Sequence, residues 1–214
     1  MKCLNVSLMS SSLGDVRERI ADAALVLVAE RGFGHTTLAD VAREANCGRA
    51  TVYRAIPGGK TELLRMVALR ELNRFFDDLV RRINAAPDLE EALVVGLATS
   101  AVAVRDHAAL QRVLVHEPEV VLPYLGFRES NRLYAVVSAS CGPHLARFLA
   151  PDTAGWVAEW IARIVISYAF NPHESIDLTN EADARHLIQT LLLPAVQPEP
   201  SSDLSGLSVT APPL

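Results

Sequence analysis

The stretch TTLADVAREANCGRATVYRAIPGGK, residues 36–60, constrains this chain more than any other. Leu38, Val41, Ala42 and Ala45 recur at the three- and four-residue spacing that lines one face of a short helix. Ala50, Val52 and Ile56 supply apolar positions for a second helix. Asn46-Cys47-Gly48 lies between the two, with Asn46 and Gly48 suited to the backbone of a tight turn, and Pro57-Gly58-Gly59 stops the second helix. Two short helices joined in this way form a helix-turn-helix. With the apolar side of its second helix packed on the first, Arg49, Thr51 and Arg54 point outward. On such a face Arg can pair with guanine edges and Thr can touch a thymine methyl in a DNA major groove.

The remainder of the chain reads as helix as well. Half of the 214 residues are hydrophobic, enough for one sizeable core or two modest ones. Gly and Pro are sparse over residues 15–56 and 153–170, where Ala, Leu, Val, Arg and Glu dominate, and no alternating strand pattern competes. The expected fold is all-α, with an N-terminal three-helix unit that includes the helix-turn-helix and a C-terminal helical domain.

Four regions are expected. Residues 1–14, polar and Ser-rich, read as a disordered arm. Residues 15–60 read as the DNA-binding unit: Asp15 caps a helix striped by Val16, Ile20, Ala23, Ala24, Leu27 and Val28, Gly32 and Gly34 end it, and Phe33 plugs the small core. Residues 61–196 read as the second domain, entered through a connector helix that Thr61 caps and that runs to residue 86. Apolar helices follow at about 89–104, 108–115, 120–125 and 129–149, the last either kinked at Pro143 or ended near Cys141-Gly142. Residues 197–214, rich in Pro and Ser, read as a disordered tail.

Residues 153–170 differ in kind. Val157, Ile161, Val165 and Tyr168 follow one face and Trp156, Trp160 and Ile164 another, so this helix is apolar nearly all round. Burying its second face against another copy of the chain is the simplest solution. A last helix, capped by Asp177 or Thr179, carries Leu187, Ile188, Leu191 and Leu192. The expected dimer contacts are Trp156, Trp160, Ile164, Leu187 and Leu191.

The net charge of −5 is unevenly spread. Residues 1–86 hold 13 Lys and Arg against 10 Asp and Glu, and residues 87–214 hold 7 against 15. The excess of positive charge thus sits where phosphates would be met. Cys3, Cys47 and Cys141 have neither disulfide nor metal-ligand spacing, and no apolar run approaches the ~20 residues of a membrane helix. The reading is a cytoplasmic protein with no membrane partner. There is no His-Glu-x-x-His, no Gly-x-Ser-x-Gly and no phosphate-cradling loop, so no catalytic residue, cofactor or metal is expected.

Residues 17–64 resemble the TetR family of transcriptional regulators. The resemblance is carried by Ala29-Glu30-Arg31-Gly32-Phe33, by Thr36-Thr37-Leu38-Ala39-Asp40-Val41-Ala42, by Arg49-Ala50-Thr51-Val52-Tyr53-Arg54, and by Lys60 leading into Glu62-Leu63-Leu64. It implies a homodimer that binds a palindromic double-stranded DNA operator and responds to a small apolar effector, repressor rather than activator. By position it implies phosphate contacts from Thr37, Tyr53 and Lys60 and base-facing roles for Arg49, Ala50 and Thr51, with Thr36 and Arg54 as further DNA contacts. Gly48 stands where the family often has Ser, and Ile56 where it often has an aromatic residue. A lipid-like ligand carrier, or an enzyme with an appended DNA-binding motif, is the alternative.

For the effector, residues 89–149 are rich in Val, Leu and Ala, which suits an elongated apolar molecule. The segment Ile164-Val165-Ile166-Ser167-Tyr168 with Asp177-Leu178-Thr179 resembles TetR relatives from actinobacteria linked to lipid metabolism, which implies a fatty acid or acyl-CoA. A hydrophobic drug or steroid-like compound, or an empty pocket, comes next. Arg105, Arg112, His116, Tyr124, Phe127 and Tyr134 are the candidate ligand contacts, with Arg128 and Arg132 as further candidates for an acidic head group.

Overall fold

A computed structural model describes the backbone of residues 3–121, 130–171 and 175–196, and the side chains of 14–121, 131–171 and 175–196. Every regular element among the described residues is a helix. The reading head comprises α1 (Cys3–Arg31), α2 (Leu38–Glu44) and α3 (Arg49–Ala55). Ile20, Ala23, Ala24 and Leu27 of α1 meet Val41, Ala42 and Ala45 from α2 and its end, and Val52, Ala55 and Ile56 from α3 and its end, in one small buried core. The stripes read from the sequence are therefore the faces that pack. Ala50 is the exception, being exposed on the opposite side of α3.

Three expectations about this unit are corrected. The segment read as an arm is helical from Cys3, so Asp15 lies inside α1 and caps nothing; no Pro interrupts residues 3–14 and the single Gly14 does not stop the helix. Phe33 is only half-buried and outside the core, because Gly32, at φ +88, turns the chain away at the end of α1. Gly48 has an ordinary extended backbone (φ −67, ψ 143), and it is Asn46, at φ 49, that takes the left-handed position in the turn.

The connector α4 (Gly59–Ala85) belongs to both halves: Leu63 closes the reading-head core, and Phe76, Leu79 and Ile83 enter a second, larger one. Gly58, not Thr61, is its N-cap. Behind it lie α5 (Leu89–Asp106), capped by Asp88, and α6 (Ala108–His116), whose cap is the His107 ring accepting from the Leu110 amide. A 3₁₀ turn, Pro118–Val120, follows α6. Next come α7 (Ser130–Leu145), α8 (Pro151–Phe170) and α9 (Glu181–Leu187). A π-helical turn (Ile188–Leu192) leads from α9 into the short α10 (Leu193–Val196). Pro143 sits in the last turn of α7 without breaking it, and Asn180 caps α9 in place of Asp177 or Thr179. Tyr124, Phe127, Arg128, most of the expected helix at 120–125, and the tail 197–214 lie outside the described residues.

The second core is built from α4, α5, α7, α8 and α9, with Leu93, Leu97, Leu145, Val157, Ile188 and Leu192 at most 2% exposed. Full burial of such aliphatic side chains is worth about 1.5–3 kcal/mol each, which accounts for why these helices pack as one unit. α7 and α8 touch backbone to backbone at Gly142 and Gly155. Val157, Ala158, Ile161 and Val165 of α8 face inward, whereas Trp156 is 48% exposed and Leu191, beyond α9, is 55% exposed. Leu187 does not join that outer surface: it is buried in the chain's own core, since the stripe of α9 turns it toward α5 and α8. Trp160 and Ile164 are half-buried at the core's edge, the two indoles 6.3 Å apart between centroids.

Candidate nucleic-acid interface and effector cleft

α3 offers one solvent-facing surface. Arg49, Ala50, Tyr53 and Arg54 are exposed and Thr51 is half-exposed, while Val52 and Ala55 anchor the opposite face in the core. Arg17 of α1 donates from Nε and Nη2 to the carbonyl of Ala55, at 3.3 and 3.0 Å, tying down the end of α3. A cation at a helix C-terminus also complements the helix dipole. The aromatic ring of Tyr53 is 57% exposed, so its hydroxyl is carried on the outward face rather than stacked inside.

Thr37 and Thr36, adjacent in sequence, have different fates. Thr37 is the exposed N-cap of α2: its hydroxyl accepts from the Asp40 amide at 3.2 Å and donates to the Asp40 carboxylate, which in turn accepts from the Thr37 amide. This capping box satisfies the first turn of α2. The Thr37 hydroxyl, with Arg31 and Arg43 beyond it, holds the Asp40 carboxyl below the usual carboxylate range. Thr36, expected among the DNA-binding residues, is 2% exposed and its hydroxyl donates to the carbonyl of Gly32 at 2.7 Å, so it is buried in the turn and not carried on the outward surface. Sequence pattern alone cannot separate two neighbouring threonines; the backbone bend at Gly32 turns one inward.

Lys60 stands at the start of α4, with its ammonium 2.9 Å from the Gly34 carbonyl and 4.4 Å from the centre of the Phe33 ring. It braces the turn between α1 and α2. From the other side, the Glu117 carboxylate accepts from the amides of Phe33 at 2.6 Å and Gly34 at 2.8 Å. The sequence pairs Glu117 with His116 and offers it as a polar residue for a ligand cavity, but no motif points it to this turn, 83 residues earlier.

A second linkage runs along α4. The Arg70 side chain, 10% exposed, reaches Asp22 at 2.8 Å, Glu71 at 3.0 Å and Glu18 at 3.1 Å, joining α1 to α4. Burial works against its charge, but the bonds to Asp22 and Glu71 outweigh it and hold the guanidinium pKa above its ordinary value. Glu71 also faces the His107 ring at the start of α6, 3.6 Å away.

The second domain contains a cleft of about 280 Å³ walled by Ala101, Val104 and Arg105 of α5, Gln111 of α6, Val165, Tyr168 and Ala169 of α8, and the turn Ile176-Asp177-Leu178-Thr179. The expectation that a cavity is lined within 89–149 is thus corrected: α8 and the following turn supply seven of its eleven lining residues. Of the candidate ligand residues that are described, Arg105 alone lines it. Its guanidinium donates to Asp106 and to the Thr179 hydroxyl, and the bond to Asp106 raises its pKa. Thr179 in turn donates to Asp177 at 2.6 Å, which lowers the Asp177 pKa. Arg112 is half-buried, its Nε without a hydrogen-bond partner among the described residues. His116 is exposed at the end of α6, and Tyr134 lies under the Arg163 guanidinium, 4.0 Å from its ring centre; neither lines the cleft.

Comparison with known proteins agrees with this architecture. Residues 20–67 match the family model of the bacterial regulatory proteins, tetR family. An uncharacterized HTH-type transcriptional regulator of Mycobacterium tuberculosis is 29% identical over 185 residues, 85% of each chain. The crystal structure of the TetR family repressor AlkX from Dietzia sp., implicated in biodegradation of n-alkanes, superposes with a TM-score of 0.58 at 26% identity, covering 80% of this chain and 92% of that one. The fatty acid degradation regulator FadR of Bacillus halodurans shares the fold, with a TM-score of 0.54 at 19% identity over 83% of this chain and 96% of its own.

Proposed function

Because the chain belongs to the TetR family of transcriptional regulators, we propose that it acts as a homodimeric repressor that binds a palindromic operator and leaves it when an apolar effector fills the cleft. The observation that carries the reading is the outward face of α3, where Arg49, Ala50, Thr51, Tyr53 and Arg54 are free of the core that Val52 and Ala55 occupy. Two such faces, one per subunit, read successive major grooves when set about 34–36 Å apart. Trp156 on α8 and Leu191 in the π-helical turn, both exposed, supply apolar surface on which a second copy packs.

The effector belongs to the fatty-acyl class. Ala101, Val104, Val165 and Tyr168 suit a chain, and Arg105 suits an acidic end, which would compete with Asp106 for the guanidinium. At about 280 Å³ the cleft accommodates a single acyl chain more readily than a whole acyl-CoA, since pockets for drug-sized ligands run to several hundred Å³. AlkX, tied to n-alkane breakdown, supports a long-chain apolar ligand.

The test is selection of an operator from random duplex DNA, followed by titration with hexadecanoic acid. Arg49→Ala is expected to cost about 1–3 kcal/mol on the preferred site while leaving non-specific binding in place. An Arg49→Ala, Thr51→Ala protein that binds the selected site unchanged refutes the assignment of α3. Unchanged affinity on adding the acid refutes the effector class alone.

A further inference from the structure

The turn between α1 and α2 is held by three side chains, Glu117, Lys60 and Thr36. Its amides at Phe33 and Gly34 donate to Glu117, its carbonyl at Gly34 accepts from Lys60, and its carbonyl at Gly32 accepts from Thr36. Thr36 lies in the turn itself and Lys60 at the start of the connector α4, whereas Glu117 follows the last residue of α6, the helix whose Gln111 walls the cleft.

The fit is tight. A Cβ at Gly32 would stand 2.7 Å from Glu117 Oε1, and one at Gly34 2.8 Å from the same atom, so a methyl at either position would push the carboxylate off the amides; Gly32, at φ +88, is required by the backbone as well. Two amides aimed at one carboxylate form charge-assisted hydrogen bonds, about twice as strong as neutral ones. At its other end α6 is fixed by His107, which caps it and faces Glu71 on α4. Displacement of α6 by the thickness of a ligand therefore acts on the turn through Glu117, and the turn leads directly to Thr37, the cap of α2.

We propose that Glu117 is a positioning residue for DNA reading: its clamp on the Phe33 and Gly34 amides makes the attitude of α2 and α3 depend on where the cleft holds α6. The inference rests on the proposed effector-responsive function, but part of its test does not. Amide hydrogen exchange on the full chain, without DNA or ligand, reads the clamp itself. In Glu117→Ala the Phe33 and Gly34 amides are expected to exchange about 10- to 100-fold faster, the range that losing one or two such bonds implies. Unchanged exchange at these two amides overturns the clamp, whether or not the protein binds any operator.

Coupling is read by a double-mutant cycle on the selected operator. Ala101→Phe fills the cleft from the α5 wall and needs no identified ligand. In the wild-type background it is expected to change operator affinity about 5-fold or more, the lower end of ordinary coupling between sites. In the Glu117→Ala background the change should fall below about 2-fold, the signature of a shared path between the two sites. A merely structural Glu117 would weaken both proteins alike and leave the Ala101→Phe factor untouched. Equal factors in the two backgrounds, including no change in either, overturn the proposal. Failure to select any operator strikes the proposed function and leaves the exchange result to decide the clamp.

Discussion

Replacing Gly142 by Ala tests how closely α7 and α8 approach. The added methyl carbon would lie 3.2 Å from Cα and 3.4 Å from N of Gly155. Carbon atoms at van der Waals contact sit about 3.5–4.0 Å apart, so the helices must part by a few tenths of an ångström. The atoms met are backbone, and no side chain can rotate to relieve the contact. Overpacking of this type costs about 1–3 kcal/mol, against which Ala regains about 1 kcal/mol of helix propensity over Gly. Gly142→Ala is thus expected to destabilise by about 0–2 kcal/mol. Gly96, buried inside α5, is the control, because a Cβ there meets nothing within 4 Å. Gly96→Ala collects only the propensity gain and should stabilise by about 1 kcal/mol. For a chain of this size 1 kcal/mol corresponds to about 2–4 °C in Tm, so the two variants should fall on opposite sides, or Gly142→Ala at best level with the parent. Thermal unfolding followed by circular dichroism at one fixed protein concentration makes the comparison, since dimerisation would otherwise shift Tm. A Gly142→Ala protein that gains as much as Gly96→Ala would refute the close approach of the two helices.

Other expectations follow from single contacts. The capping box at Thr37 depends on an ionised Asp40 whose folded pKa lies below its ordinary value of 3.8, so its contribution is complete above that pH and is lost as pH falls through the lower folded value. Thr37→Ala should therefore lower stability more at neutral pH than in strong acid, where only the bond from the Asp40 amide to the Thr37 hydroxyl is left to lose; equal loss at both would contradict the box. Trp156→Glu with Leu191→Glu places charge on the two most exposed apolar side chains of α8 and the last helical stretch, and should reduce the proposed dimer to a monomer in light scattering. An unchanged mass would move the interface elsewhere. Cys141 is 3% exposed and burial pushes its thiol up to about 11, so it should resist iodoacetamide in the native protein and react once unfolded. Rapid native alkylation at Cys141 would show that the packing around it opens.

Local pattern made most of the architecture legible. The stripes of α1, α2 and α3 bury the residues their spacing selects, and Asn46 and the Pro57-Gly58-Gly59 stop occupy the turns assigned to them. Periodicity works here because each of these helices has one face to bury and a nearby neighbour to bury it against. It was weaker at helix ends, where Thr61, Asp177 and Thr179 were equally plausible caps and Gly58 and Asn180 took the positions. Capping depends on the path of the incoming chain as much as on the side chain itself.

The sequence by itself determined an all-helical chain, the helix-turn-helix and the outward set Arg49, Ala50, Thr51, Tyr53 and Arg54, because spacing along one helix decides which side chains share a face. Tertiary structure alone decided that Thr36 turns inward while Thr37 caps, that Leu187 belongs to the chain's own core, and that the cleft draws on α8 and residues 176–179. It also decided that Glu117 meets Phe33 and Gly34 across 84 and 83 residues of chain. No period or motif encodes such a contact, which exists only because α4 and α5 carry α6 back against the end of α1.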